Sequence, residues 1–238
     1  WFGWFGFNGA SQLAAGSIGD INSVAIIFAN TNTAAAGGVL AAMALTSLLY
    51  GKMDATLVFN GAIGGLVSIT AEPLTPSMFE ALLIGGIGGV LVVLTVPLLD
   101  RFKVDDVVGA IPAHLVCGIW GTLIVAINTQ SVKSTISSDE ALARASELFP
   151  GLSASEAATA VTDALNDDGE FEFYFSILEQ LGIQGIGVVA TGVFVCAASL
   201  IVWLALKHTV GVRVSEEEET EGLDKSEVGL EAYPDFAA

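Results

Sequence analysis

The sequence predicts an all-α fold, a polytopic bundle of membrane-crossing helices. Two observations carry that expectation: the overall composition and the placement of the charges. Of 238 residues, 53% are hydrophobic and 14% charged, where a soluble domain carries about a quarter charged residues. The 26 acids and eight bases, a formal charge of −18, are unevenly spread. Residues 129–182 hold ten acids against Lys133 and Arg144, and residues 215–238 hold nine against Lys225. The rest is an apolar body with few charges, which excludes a disordered chain. The acidic balance also argues against nucleic acid as a partner, because phosphate contacts need clustered Lys and Arg.

Crossing about 30 Å of hydrocarbon takes about 20 apolar residues. The opening run Trp1–Phe7 is apolar and aromatic with no charged region before it, so it reads as part of a helix rather than a signal peptide. On this reading the chain is the C-terminal portion of a longer protein. Five uncharged runs follow. Asp20 to Lys52 encloses 31 residues, Asp54 to Glu72 encloses 17, and Glu80 to Asp100 encloses 19. Asp106 to Lys133 encloses 26 and Glu179 to Lys207 encloses 27. The 17-residue run is short for a span; a buried or re-entrant helix is its alternative. If every run crosses, Lys52, Arg101, Lys103, Lys207, Arg213 and Lys225 share one side. The positive-inside rule makes that side, and the C-terminus, cytoplasmic. The expected organisation is a membrane domain over 1–214, with an acidic external insertion at about 129–178. A cytoplasmic acidic tail, 215–238, completes it.

Inside the insertion, Ser153-Ala-Ser-Glu156 has capping-box spacing after Pro150-Gly151. It predicts two small amphipathic helices, with a partly disordered acidic loop as the alternative. Gly61, Gly64 and Gly65, then Gly85, Gly86, Gly88 and Gly89, predict close helix packing, Gly85 and Gly89 having GxxxG spacing.

Polar groups within apolar helices mark function. His114 is followed by Cys117, Gly118 and Gly121 at i+3, i+4 and i+7, which predicts one shared helix face directed into the bundle. A purely structural histidine is the alternative. A Cys–His dyad of His114 and Cys117 lacks an orienting third group. Haem ligation by His114 and His208 conflicts with their different depths, and no CxxCH occurs. No enzyme activity, metal or cofactor is therefore expected, and Cys117 and Cys196 lack CxxC spacing. Trp4, Phe7 and Ser11 fall at i, i+3 and i+7, a face suited to a cation; an interfacial aromatic belt is the alternative.

These residues carry a resemblance. Trp4-Phe-Gly-Phe-Asn8 with Ser11, Asn60-Gly-Ala-Ile-Gly-Gly-Leu-Val-Ser-Ile-Thr70 and His114-Leu-Val-Cys-Gly-Ile-Trp-Gly121 resemble ammonium transporters of the Amt/Mep/Rh family. Thr209-Val-Gly-Val-Arg-Val-Ser215, Glu221-Gly-Leu-Asp224 and Glu231-Ala-Tyr233 resemble that family's tail, of the bacterial or archaeal type. The resemblance implies helices six to eleven of an eleven-helix fold and passage of ammonium or ammonia through a hydrophobic pore. It implies Phe7 as an entrance gate, Ser11 in an external ammonium site and His114 as one of two pore histidines. Asn60 and Thr70 are weaker pore candidates. It further implies a homotrimer in the cell membrane and a PII-type signal protein at the cytoplasmic face. An ammonium sensor of the same fold is the competing function.

Overall fold

The computed structural model describes residues 1–127, 133–167, 169–174 and 176–232. It separates into two compact units, Trp1–Val188 and Val189–Ala238.

The first unit is built on α1 (Phe2–Gly9), α2 (Ile18–Tyr50), α3 (Ala55–Ile69) and α4 (Met78–Arg101). Each long helix starts where the sequence supplies a cap. Ser17 accepts the Asp20 N–H while Asp20 reaches back to the Ser17 N–H. Ser77 and Glu80 repeat this box at α4, and Asp54 accepts the Leu57 N–H at α3. Gly51, with a left-handed φ of 72°, ends α2.

Helices α2, α3 and α4 pack on one another. Their contact is a meeting of backbones, because a stripe at i, i+4 spacing on α2, Ala34–Gly38–Ala42, has almost no side chain. A methyl placed on Gly65 or Gly85 would run into the Ala34 carbonyl. One on Gly89 would run into the Gly38 carbonyl, and one on Gly38 into the Gly61 carbonyl. The GxxxG pair of α4 is thus seated one turn apart along α2, as the spacing predicts. Around this seam lie the buried Leu57, Val92, Val93 and Cys117, and a second cluster of Ile69, Ala81 and Ile84.

Among the described residues, three helices are long and apolar enough to cross a membrane by length and composition: α2, α4 and α9 (Ile177–Thr209). Two of the five expected full spans are shorter. α3 has 15 residues, and among the described residues of the run from 106 to 133 the helical stretch is Ile111–Ile124. The cause is local. Gly109 takes a left-handed φ of 73°, and the Asp106 carboxylate accepts the Ala110 and Ile111 N–H groups at 2.8 Å each. The helix therefore begins at Ile111, first as a wide π turn (Ile111–Val116), then as α5 (Cys117–Ile124).

The acidic insertion is ordered where it is described, and it contains strands that the sequence reading did not expect. β1 (Lys133–Ser137) pairs antiparallel with β2 (Glu170–Tyr174), Lys133 opposite Tyr174. Between them come α6 (Ser138–Ala143), α7 (Ala145–Leu148) and α8 (Ala154–Asp163). They share a small core of Ala141, Ala145, Ala157, Val161 and Phe171. The predicted box at α8 is formed, with Ser153 accepting the Glu156 N–H and Glu156 accepting the Ser153 N–H. Ser153→Ala should destabilise this element by about 1 kcal/mol, read as faster hydrogen exchange at residues 154–157 while α2 and α4 keep their protection.

The second unit holds the end of α9 and the start of the tail. The glutamate run forms α10 (Glu216–Glu221), capped by Ser215 and ended at Gly222. Beyond it Lys225 pairs with Glu231 at 3.1 Å and Asp224 accepts the Ala232 N–H. Tyr233, which closes the tail segment Glu231-Ala-Tyr233, lies outside the described residues.

Candidate functional site

A groove of about 690 Å³ runs along the first unit, lined chiefly by α1, the end of α3 and the π turn with α5. Trp4, Phe7, Val67, Thr70, His114, Gly118 and Thr122 form its wall. Three of the five residues singled out in the sequence, Phe7, Thr70 and His114, are brought together here.

His114 is exposed to the groove and its ring stacks on Trp4, with centroids 6.4 Å apart and planes inclined by 23°. Trp4 in turn lies 5.8 Å from the ring of Phe7. Phe7 is 63% exposed, so it is free of tight packing. The indole N–H of Trp4 donates to the Thr70 hydroxyl at 2.8 Å, and that hydroxyl donates to the Leu66 carbonyl at 2.7 Å. Thr70 therefore lines the groove with its donor and one lone pair already committed, and fixes the indole.

The expected shared face of His114, Cys117, Gly118 and Gly121 is split. Cys117 and Gly121 are buried. The Cys117 thiol donates to the Gly88 carbonyl at 3.4 Å, and Gly121 abuts the Ser68 backbone. The groove instead receives His114, Gly118 and Thr122, spaced i, i+4, i+8. The reason is the π turn, whose i→i+5 bonding brings residue i+4 rather than i+3 beneath residue i. Thr122 escaped the sequence reading, although a four-residue step from Gly118 would have found it.

The two remaining candidates lie elsewhere. Ser11 is exposed on a 3-10 turn, Ala10–Gln12, that follows α1 and ends at Leu13 with φ 62°. Three residues per turn swing it off the Trp4–Phe7 face, and it is not among the residues lining the groove. Asn60 is buried at 8% exposure and donates to the Val108 carbonyl at 3.0 Å. It too is outside the groove wall.

Beside the groove, the connection from α3 to α4 is tied down by Asn30 of α2. Its amide donates to the Pro73 carbonyl at 3.1 Å and the Pro76 carbonyl at 2.7 Å. Within this loop Glu72 is partly buried, and burial pushes its carboxyl up from 4.5 to about 7. The Thr75 hydroxyl opposes the rise and the Glu80 charge adds to it. Folding therefore favours the protonated acid. The loop should be most stable below pH 4.5 and lose stability as pH rises toward 7. Glu72→Gln should flatten that slope in thermal unfolding measured from pH 4.5 to 8; an unchanged slope would show that the acid is not desolvated.

A family model described as the Ammonium Transporter Family matches residues 1–233. Ammonium transporter Amt2 of Archaeoglobus fulgidus is 36% identical over 236 residues, covering 99% of this chain and 44% of that protein. An ammonium transporter of Bacillus subtilis is 30% identical, covering 99% of this chain and 49% of that protein. Among solved structures, one titled Sensor Amt Protein superposes with a TM-score of 0.71 at 30% identity, covering 95% of this chain and 46% of the other. Mep2 of Candida albicans gives 0.63 at 25% identity, covering 92% and 41%. The chain spans less than half the length of these relatives. Matched almost end to end, with its long apolar helices in a known transporter fold, the chain is a membrane protein that belongs to the Ammonium Transporter Family.

Proposed function

We propose that this chain contributes a wall of the conduction path of an ammonium transporter, taking up nitrogen as ammonium or ammonia. The observation that supports this most is the aromatic series Phe7–Trp4–His114 along one apolar groove, with His114 stacked on Trp4 and Phe7 tilted against it. Aromatic faces attract a cation as it sheds water. Desolvation then disfavours the charged form, so NH4+ gives up its proton more readily inside than outside. A neutral imidazole offers one donor and one acceptor to what passes. In this reading Phe7 gates the entrance, and Ser11, just beyond it, supplies a hydroxyl to the outer recruitment site. His114 is the pore histidine.

The protein acts by passage, not by making or breaking covalent bonds apart from proton transfer. It works in the cell membrane as a homotrimer, with the C-terminal tail in the cytoplasm. There the acidic tail couples subunits and helps dock a PII-type signal protein. The solved relative titled a sensor supports a second reading, ammonium reception. Uptake of labelled methylammonium by cells that carry the complete gene and lack their own transporter separates the two. Saturable uptake supports transport, and surface expression without uptake supports the sensor.

A further inference from the structure

The π turn that aims His114 is anchored at its start by two side chains outside the groove. Asn60, on α3, donates to the Val108 carbonyl at 3.0 Å. The Asp106 carboxylate takes the Ala110 N–H and the Ile111 N–H, one on each oxygen, both at 2.8 Å. Between these anchors stands Gly109, whose positive φ turns the chain from the loop into the helix. A methyl at Gly109 would sit 2.8 Å from the Asn60 amide nitrogen, so chain and amide are in close contact. The Ala113 N–H then bonds to the Gly109 carbonyl at 3.1 Å, one residue before the histidine. Every bond in this series holds backbone, and the backbone it holds runs directly into the turn bearing His114.

We infer that Asn60 and Asp106 are positioning residues for His114: they clamp residues 108–111 and thereby set the π turn that stacks the imidazole on Trp4. This rests on the reading of His114 as the pore histidine for its functional consequence, and on the bonds above for its geometry. A π turn has a wide bore and needs its ends held, since its neighbouring α-helical geometry differs by only one residue in register. Relaxation of residues 111–116 toward an α-helix would move the ring around the helix axis. His114 would then share a face with Cys117 and leave the groove.

The test uses the complete transporter in lipid nanodiscs and in cells. Asn60→Asp removes the amide donor at equal size and places an oxygen against the Val108 carbonyl; Asn60→Ala removes it without a charge. Asp106→Asn replaces one of the two acceptor oxygens with a donor. Electron cryomicroscopy of the variants should show the His114–Trp4 centroid separation widened from 6.4 Å, with α2 to α4 in place. Maximal uptake per surface copy should fall about threefold or more at an unchanged half-saturation concentration. An imidazole that stays stacked on Trp4 in all three variants overturns the assignment. So does uptake that falls only in proportion to the amount of protein, or failure of both Asn60 variants to reach the membrane. A His114→Ala protein that transports like the wild type, with the ring still displaced in the Asn60 and Asp106 variants, overturns the transport role of His114 and leaves the positioning role standing.

Discussion

His114→Ala should leave the amount of folded protein in the membrane near wild type while uptake per copy collapses. The imidazole is exposed to the groove. Substitutions at such positions cost within about 0.5 kcal/mol of stability. On the proposed function, its value lies in what it offers a permeant that has lost water. A hydrogen bond to a charged group is worth about 1.5–3 kcal/mol, equivalent to about 10- to 150-fold in rate if it is lost only during passage. Methylammonium uptake normalised to surface-labelled protein is the measurement. Expression and uptake falling together would instead make His114 a structural residue.

Gly85→Ala should have the opposite signature, loss of the protein itself. The added methyl would occupy the space of the Ala34 carbonyl, which is backbone and cannot rotate aside. Overpacking of a core costs about 1–3 kcal/mol when side chains can adjust, so the upper end applies here. The neighbouring Gly86→Ala is the control. Its methyl would meet nothing closer than the Gly37 carbonyl at 3.8 Å, an ordinary contact. Thermal unfolding in detergent should separate the pair by several degrees. Equal stabilities would show that the helices can spread without penalty, and would remove the backbone seam as the source of cohesion.

Much of this architecture is legible in the sequence because it follows from local rules. The uncharged runs locate α2, α4 and α9, and Ser153–Glu156 announces the start of α8 through a capping box. Phe171-Glu-Phe alternates with the period of a strand, but without knowledge of its distant partner β1 the acidic composition outweighed it. The π turn was not legible. It depends on Asn60, 48 positions before the carbonyl that it holds, and no periodicity encodes such a contact. For the same reason the sequence could not show that Asn60, a pore candidate, bonds the Val108 carbonyl outside the groove wall. Thr70 lines the groove, and only its bonds to Trp4 and Leu66 show its hydroxyl engaged elsewhere.

The glycine seam also restricts what can move. Helices that touch through side chains can slide, because ridges re-seat in the next groove and rotamers absorb the misfit. Where Gly85 and Gly89 rest against the carbonyls of Ala34 and Gly38, there is no rotamer to change. A displacement of α4 along α2 by one residue would present Gly86 and Val90 in their places, and the valine has no room there. Rocking of α4 against α2 is therefore closed to this part of the protein. The light parts beside the seam are freer, chiefly the exposed ring of Phe7, since the Trp4 indole is held by Thr70. Ring reorientation is fast compared with helix rearrangement, so on the proposed reading passage beside this seam need not wait for α4 to slide along α2.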